Sequence, residues 1–285
     1  MRIALATSDR ATEPDRDADF LLPALRRMGA EAELVAWTSP SAVWDGYDLV
    51  MLSSTWDYHE RVEEFRAWLA ATDRLTRLRN PRRTVAWNLD KRYLRKLAEA
   101  GIPTIPTLFT DEHRDPALLA EISARGWEQV VLKPVVDLGA MQLARVAASD
   151  APLILERMPR PAMCQPYLRS LESEGELSLV YLGDELSHSL RKRPAAGDFR
   201  VQPMYGGTHE RIEAPARAVE IAEAALALAP GKPLYARADL VYGDDGSLRL
   251  IELELIEPAL YLDVAPEQAV PFARALLAAA AGGKR

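Results

Sequence analysis

Leu234-Tyr235-Ala236-Arg237-Ala238-Asp239-Leu240-Val241-Tyr242, then Gly243-Asp244-Asp245-Gly246, then Ser247 through Ile251-Glu252-Leu253-Glu254-Leu255, is the stretch whose reading decides the fold. Two apolar-rich runs flank a four-residue turn of glycine and aspartate, the pattern of a β-hairpin. Pairing Tyr242 with Ser247 sets Asp239 opposite Leu250, and directly opposed residues share a face of the sheet. Alternate residues along a strand also share a face, so Glu252 and Glu254 join Asp239 there, while Ile251, Leu253 and Leu255 occupy the other. Three carboxylates on one face repel one another unless something cationic sits among them. Oxygen donors without His or Cys suit Mg²⁺ or Mn²⁺. The competing reading is a solvated face on which Arg237 neutralises one of the acids.

Upstream, Leu177–Leu182 and Leu186–Leu190 read as a second hairpin around Gly183-Asp184, and Ala216–Leu228 as an amphipathic helix. A last helix spans about Pro266–Ala281. Toward the N-terminus the texture changes. Ile3–Ala6, Leu34–Trp37 and Leu49–Leu52 are short apolar runs of the buried-strand kind, separated by helical stripes. One stripe carries Phe20, Leu21, Ala24, Leu25 and Met28 and stops at Gly29; the other carries Val62, Phe65, Trp68 and Leu69. Alternating strands and helices predict a parallel sheet. Between these parts, Asn88 or Asp90 is expected to cap a helix bearing Tyr93, Leu94, Leu97 and Ala98, which ends at Gly101. Val130-Val131-Leu132 is a strand leading into Lys133-Pro134. The expected class is α/β followed by α+β.

Composition narrows the function. The chain has 285 residues, room for about two or three domains at roughly 150 residues each. Its 48% hydrophobic and 27% charged content is that of an ordered globular protein. No apolar run approaches the ~18 residues of a membrane span, and Met1–Ala6 is too short for a signal-peptide core. Cys164 is the only cysteine, which excludes an intrachain disulfide and a four-thiolate zinc site. Without an export signal the cytoplasm is the expected location. A net charge of −7 gives no sign of the basic face that nucleic-acid binding requires. Few of the cations are lysines, so Lys91 at a helix start and Lys133 at a strand end stand out as phosphate partners, although either alone also reads as a surface residue. Neither a G-x-x-x-x-G-K-[ST] loop nor a G-x-G-x-x-G turn is present.

Taken in order, several segments resemble the ATP-grasp superfamily. Asn88-Leu89-Asp90-Lys91 and Gly101-Ile102-Pro103 look like the start of its central subdomain, and Val131-Leu132-Lys133-Pro134 matches its second lysine. Cys164-Gln165-Pro166-Tyr167-Leu168 is similar to the hinge that meets adenine, and Gly175-Glu176 to the acid that holds the ribose. Arg191-Lys192-Arg193, Gly197–Arg200 and Tyr205-Gly206-Gly207 resemble the segment over the phosphates and the reacting carboxylate. Tyr235–Asp239 and Ile251–Glu254 match the two metal-binding strands. Ser54-Thr55-Trp56-Asp57-Tyr58 and Glu252–Pro258 most resemble the bacterial group that includes the cycloserine-forming cyclo-ligase.

The resemblance implies an N-terminal parallel α/β domain (1–87), a central lid subdomain (88–164) and a C-terminal antiparallel-sheet subdomain (165–285). It implies an ATP-dependent ligase that activates a small, amino-acid-like carboxylate as an acyl phosphate and joins it to an amine or similar nucleophile. Cyclisation within one molecule, a phosphotransferase and a non-catalytic ATP-binding module are the alternatives. Lys91, Lys133, Gln165, Pro166, Tyr167, Leu168 and Glu176 would bind ATP. Asp239, Glu252 and Glu254 would hold Mg²⁺ or Mn²⁺, and Lys192 and Arg200 would meet charge developing on the carboxylate. Homodimers are frequent in this family; nucleic acid and membrane are not expected partners. Two departures stand out: Glu254 replaces the usual metal-binding asparagine, and the loop Asp137-Leu138-Gly139-Ala140 is poorer in Gly and Ser than the family's.

Ser54, Thr55 and Asp57 are expected on the substrate side together with Gly206 and Gly207. Met51-Leu52 ends a strand of a parallel sheet, and ligands of such sheets bind beyond the carboxyl ends of strands. The competing reading makes Ser54, Thr55 or Asp57 a helix cap, with Trp56 in the core.

Overall fold

The computed structural model describes residues 1–10, 14–110, 116–158 and 161–282. The N-terminal part runs β1 (Arg2–Thr7), α1 (Arg16–Arg27), β2 (Glu31–Ala36), β3 (Leu49–Ser54), α2 (Val62–Leu75) and β4 (Arg77–Arg79). These strands form a parallel sheet in the order β2-β1-β3-β4. Local chemistry sets the ends of α1. Asp15 caps it by accepting from Ala18 N–H at 3.0 Å, acids occupy its first turn, and Arg26 and Arg27 its last. Gly29 follows at φ +83°, where a side chain would be strained.

The chain continues through α3 (Arg82–Asn88), α4 (Tyr93–Glu99), β5 (Leu108–Thr110), α5 (Pro116–Ala124), β6 (Gln129–Pro134), β7 (Ala144–Ala147), α6 (Ala151–Leu155) and β8 (Ala162–Pro166). Its strands make an antiparallel sheet ordered β5-β8-β6-β7. The boundary expected between residues 164 and 165 therefore falls inside β8. Last come α7 (Ser170–Glu174), β9 (Glu176–Leu182), β10 (Glu185–Arg193), β11 (Thr208–Ile212), α8 (Ala216–Ala227), β12 (Tyr235–Tyr242), β13 (Leu248–Glu254) and α9 (Ala269–Ala281). They supply an antiparallel sheet ordered β11-β10-β9-β12-β13.

Packing crosses these segments. The last helix returns to the first sheet, where Phe272 and Leu276 share a core with Ile3, Leu5, Leu21 and Leu25. Helix α4 packs instead on the C-terminal sheet, with Leu94 and Leu97 against Leu177, Leu240 and Leu253. The outer edge of β13, with its row of backbone groups, is closed by the backbone of Pro103 and Ile105 at Leu250 and by side chains further along. The amide of buried Asn88 donates to Leu253 O at 2.7 Å and accepts from Leu255 N–H at 2.8 Å. The Tyr93 hydroxyl adds a reciprocal pair with Leu253 at 3.0 and 2.8 Å. Asn88 is thus the last residue of α3 and a clamp on β13, not the expected cap of α4; Arg92 stands at that cap position.

The decisive hairpin pairs in a different register from the expected one. Tyr242 faces Leu248, and a bulge at Ile251 then sets Asp239 directly opposite Glu252 and Arg237 opposite Glu254. The turn moves the register by one residue and the bulge by another. Two residues are one period of the strand, so Asp239, Glu252 and Glu254 still share a face. Ile251 changes side and lines the same cavity as the acids.

Candidate active site

All three sheets border one cavity of about 730 Å³. The N-terminal sheet presents Trp56–Glu60, just beyond the carboxyl end of β3; the central sheet presents Lys133 and the hinge Gln165–Leu168; the C-terminal sheet presents Glu176, Lys192, Asp239, Glu252 and Glu254. Lys91 reaches in from the turn between α3 and α4, and the loop Asp137–Met141 covers it. Buried polar atoms without a partner point to a ligand. Four residues bearing such atoms, His59, Asp137, Gln202 and Glu257, line this cavity.

The charged groups form two linked networks. Lys91 Nζ stands 2.7 Å from Glu252 Oε1 and donates to Asp137 O at 2.8 Å, while Lys133 Nζ lies 4.0 Å from Glu252 Oε2. Deeper in, Lys192 Nζ bridges Glu176 at 2.5 Å and Asp239 at 3.3 Å. Arg237 grips both oxygens of Asp239 at 3.0–3.1 Å and also bonds Glu254. Ser178 donates to Asp239 from the neighbouring strand.

Burial and pairing pull the ionisations apart. Burial alone would raise Asp239, but Arg237 and Lys192 hold it down to about 2. Burial likewise opposes ionisation of Glu252, and Lys91 and Lys133 overcome it. Glu254 is pushed up to about 7 by burial, against the pull of Arg237. Burial lowers Lys133 despite its distant acid, whereas Lys192 is raised because Asp239 and Glu176 outweigh burial.

The expectation that something cationic must separate the three carboxylates therefore holds, but lysine and arginine fill that role. Among the described residues no group of three or more His, Cys, Asp or Glu stands close enough to hold a metal ion. Arg237 occupies the space between Asp239 and Glu254, the neutralising role of the competing reading. The donor set nevertheless fits a hard cation: it is all oxygen and it lines the cavity.

Other expected residues divide. Glu176 lies buried in the cavity wall, whereas Glu172 is tied to Tyr167 and Arg145 on the outer side of the hinge. Gln165 projects from β8 and donates to Thr107 at 2.9 Å. The N–H of Tyr167 is already spent on Gln129 O at 2.9 Å, so that backbone donor is not free for a base. Arg200 lines the cavity with its charge matched by Asp198, and it stacks 3.5 Å from the centre of the Tyr205 ring.

Four substrate-side expectations are corrected. Ser54 and Thr55 are fully buried and do not line the cavity; Ser54 Oγ is hydrogen-bonded to Thr7 Oγ1 at 2.7 Å. Gly206 and Gly207 also lie outside the lining. They turn the chain, since Gly206 has φ +81° and a Cβ on Gly207 would stand 2.1 Å from Val201 O. Asp57 does reach the cavity, but Trp37 Nε1 at 2.7 Å and Arg61 take its two oxygens, so it braces its own loop.

Sequence reasoning missed Tyr261 and Glu257 as site residues. Tyr261 adopts φ +52°, a strained setting for a side-chain-bearing residue. Its ring centre lies 5.9 Å from Lys192 Nζ and 5.7 Å from the Arg237 guanidinium. The signal was local: an acid followed by proline, Glu257-Pro258, three residues after the last expected metal ligand.

With this geometry in place, the comparisons are decisive. A family model described as "D-cycloserine synthetase DcsG, N-terminal domain" matches residues 3–80, and one described as "Prokaryotic glutathione synthetase, ATP-grasp domain" matches residues 99–235. The cycloserine biosynthesis protein DcsG of Streptomyces lavendulae is 32% identical over 297 residues, 96% of this chain and 97% of that protein. The chain is an ATP-grasp ligase of the DcsG family. The crystal structure of D-cycloserine synthetase DcsG superposes with a TM-score of 0.89 at 30% identity, covering 98% of this ligase and all of that chain. Glutathione synthetase of Prochlorococcus marinus is 30% identical over 163 residues, about half of each chain. The ligase is therefore an ATP-dependent enzyme acting on a small molecule, rather than a phosphotransferase or a non-catalytic module. No helix among its described residues is long and apolar enough to cross a membrane.

Proposed function

We propose that this ligase closes a ring within one amino-acid-like molecule, phosphorylating its carboxylate and displacing the phosphate with a nitrogen of the same molecule. The observation that carries this reading is that likeness to DcsG continues through residues 3–80, the substrate-side domain, and is not confined to the nucleotide-binding part. Opening the ring amide of cycloserine yields 3-aminooxyalanine, a carboxylate and a nitrogen nucleophile held within ring-closing reach. Tethering replaces a second binding event and removes much of the entropic barrier to bond formation.

In this reading Gln165, Pro166, Tyr167 and Leu168 flank the adenine, and Glu176 takes the ribose. Lys91 and Lys133 release Glu252 to meet the phosphates, which are stronger anions. Asp239, Glu252 and Glu254 hold Mg²⁺, which when bound neutralises phosphate charge. Lys192, Arg200 and Arg237 stand around the carboxylate to stabilise negative charge as the acyl phosphate forms and collapses. The loop Asp137–Ala140 and the sheet behind it exclude water from an intermediate that hydrolyses readily. The ligase works in the cytoplasm, where ATP is supplied, and as a homodimer, the assembly that the resemblance implies.

The test is to incubate the protein with Mg²⁺, ATP and either enantiomer of 3-aminooxyalanine. ADP and cycloserine are expected in equal amounts, with no uptake of an added amine. ADP release that requires a separate amine would replace ring closure with ligation between two molecules.

A further inference from the structure

Glu257 lies just beyond β13, where the sheet carrying the acids meets the substrate-side loop. The residue is only 4% exposed, lines the cavity, and leaves its carboxyl Oε2 without a hydrogen-bond partner. The other side of the group is met by the hydroxyl of buried Tyr58. The backbone on either side is held tightly. Tyr235 donates to Ile256 O at 2.9 Å, Asn80 to Leu255 O at 2.8 Å, and Trp56 Nε1 to Glu257 O at 3.4 Å. Pro258 then fixes the exit of the chain. A side chain presented so rigidly, with one oxygen orphaned, is costly unless a ligand completes it. Lys91, a cation whose charge reaches it, is already committed to Glu252 and Asp137.

We propose that Glu257 is a catalytic residue, binding the N–H of the attacking nitrogen at Oε2 and accepting its proton as the new bond forms. The inference rests on the ring-closing reading of the substrate. The nitrogen lone pair adds to the acyl carbon, the C–N bond forms, and the C–O bond to phosphate breaks with its electron pair leaving on phosphate. The N–H proton passes to Glu257. Position supports the assignment: Glu257 lines the cavity beside the Trp56–Glu60 loop and is tied to it through the Trp56 indole and the Tyr58 hydroxyl. Burial first, and then the charge of Glu254, strengthen its hold on a proton, so the ionised carboxylate, the form that must be present when the nitrogen attacks, is a strong acceptor.

Glu257→Gln keeps the shape and the Tyr58 contact but removes the base. With 3-aminooxyalanine, Mg²⁺, ATP and hydroxylamine to take the acyl group, this variant is expected to release ADP and form hydroxamate within about threefold of the unmodified enzyme under the same conditions. Cycloserine formation should fall by about 10²–10⁴-fold, the usual contribution of general-base catalysis, with KM little changed. Cycloserine formation that survives in E257Q, or a loss of hydroxamate in the presence of hydroxylamine as large as the loss of cycloserine, overturns the assignment. Absence of ADP release from the unmodified enzyme with either enantiomer refutes the ring-closing reading instead. The ligand-free protein then answers for Glu257: an equal or higher Tm in E257Q supports a residue kept for function, and a Tm lowered by several degrees makes it structural and overturns the proposal.

Discussion

Arg237→Met tests the charged floor of the cleft. Arg237 makes three nitrogen–oxygen contacts of 3.0–3.1 Å with Asp239, bonds Glu254, and donates to Ala259 O at 3.1 Å. Methionine fills similar length but leaves two carboxylates facing each other, with Lys192 at 3.3 Å the remaining cation on Asp239. Breaking a buried ion pair by removing one partner costs about 3–5 kcal/mol. Glu254 is a quarter exposed, which sets the expectation toward the lower end of that range. At roughly 2–4 °C per kcal/mol for a chain of this size, a loss of about 3–4 kcal/mol should lower Tm by about 6–16 °C. The loss should depend on pH with a definite sign. Without Arg237 the native state holds the Glu254 proton even more strongly than at its present value of about 7, against 4.5 for the ordinary group. Stability of the variant should therefore fall more steeply than that of the unmodified protein as pH rises through this window. Mg²⁺ should restore part of the loss by taking the vacated position. Scanning fluorimetry at pH 5.5 and 8, with and without MgCl₂, reads all three effects. A variant within about 1 kcal/mol of the unmodified protein at pH 8 would show that Arg237 does not hold these acids, and would refute the ion-pair network as the force that shapes the floor.

Two further outcomes are expected. Asn88→Ala leaves the buried Leu255 N–H without its partner, while the Leu253 carbonyl keeps the Tyr93 hydroxyl; urea denaturation should show about 1–3 kcal/mol lost, and an unchanged midpoint would deny that Asn88 closes the edge of β13. Asp17 accepts from Leu260 and Leu262 N–H at 2.6 and 2.8 Å, yet burial pushes it up to about 7 from 3.8. Because the native state keeps the proton that the unfolded chain has lost, stability should decline as pH rises between those two values. Asp17→Asn should flatten that decline, and a Tm–pH profile parallel to that of the unmodified protein would exclude Asp17 as its source.

The sequence by itself determined the alternation of strands and helices, the two hairpins, and the face shared by Asp239, Glu252 and Glu254. Periodicity carries that much: helix stripes recur every three to four residues and strand faces every two, and neither depends on distant partners. The shared face even survived a wrong register, because the turn and the bulge at Ile251 displaced the pairing by one residue each. The ordered lysines, hinge and acids likewise pointed to ATP-grasp ligation before any contact was known. Only the tertiary structure decided which cation meets which acid. Arg237 faces Glu254 because of the bulge, and Lys192 reaches Asp239 because β10 and β12 both flank β9. It also decided that α9 returns to the first sheet, that Ser54, Thr55, Gly206 and Gly207 lie outside the cavity lining, and that Glu257 lines the cavity with an oxygen to spare. Such facts turn on side chains brought together across many tens of residues, and local chemistry holds no record of the partner a buried charge will find.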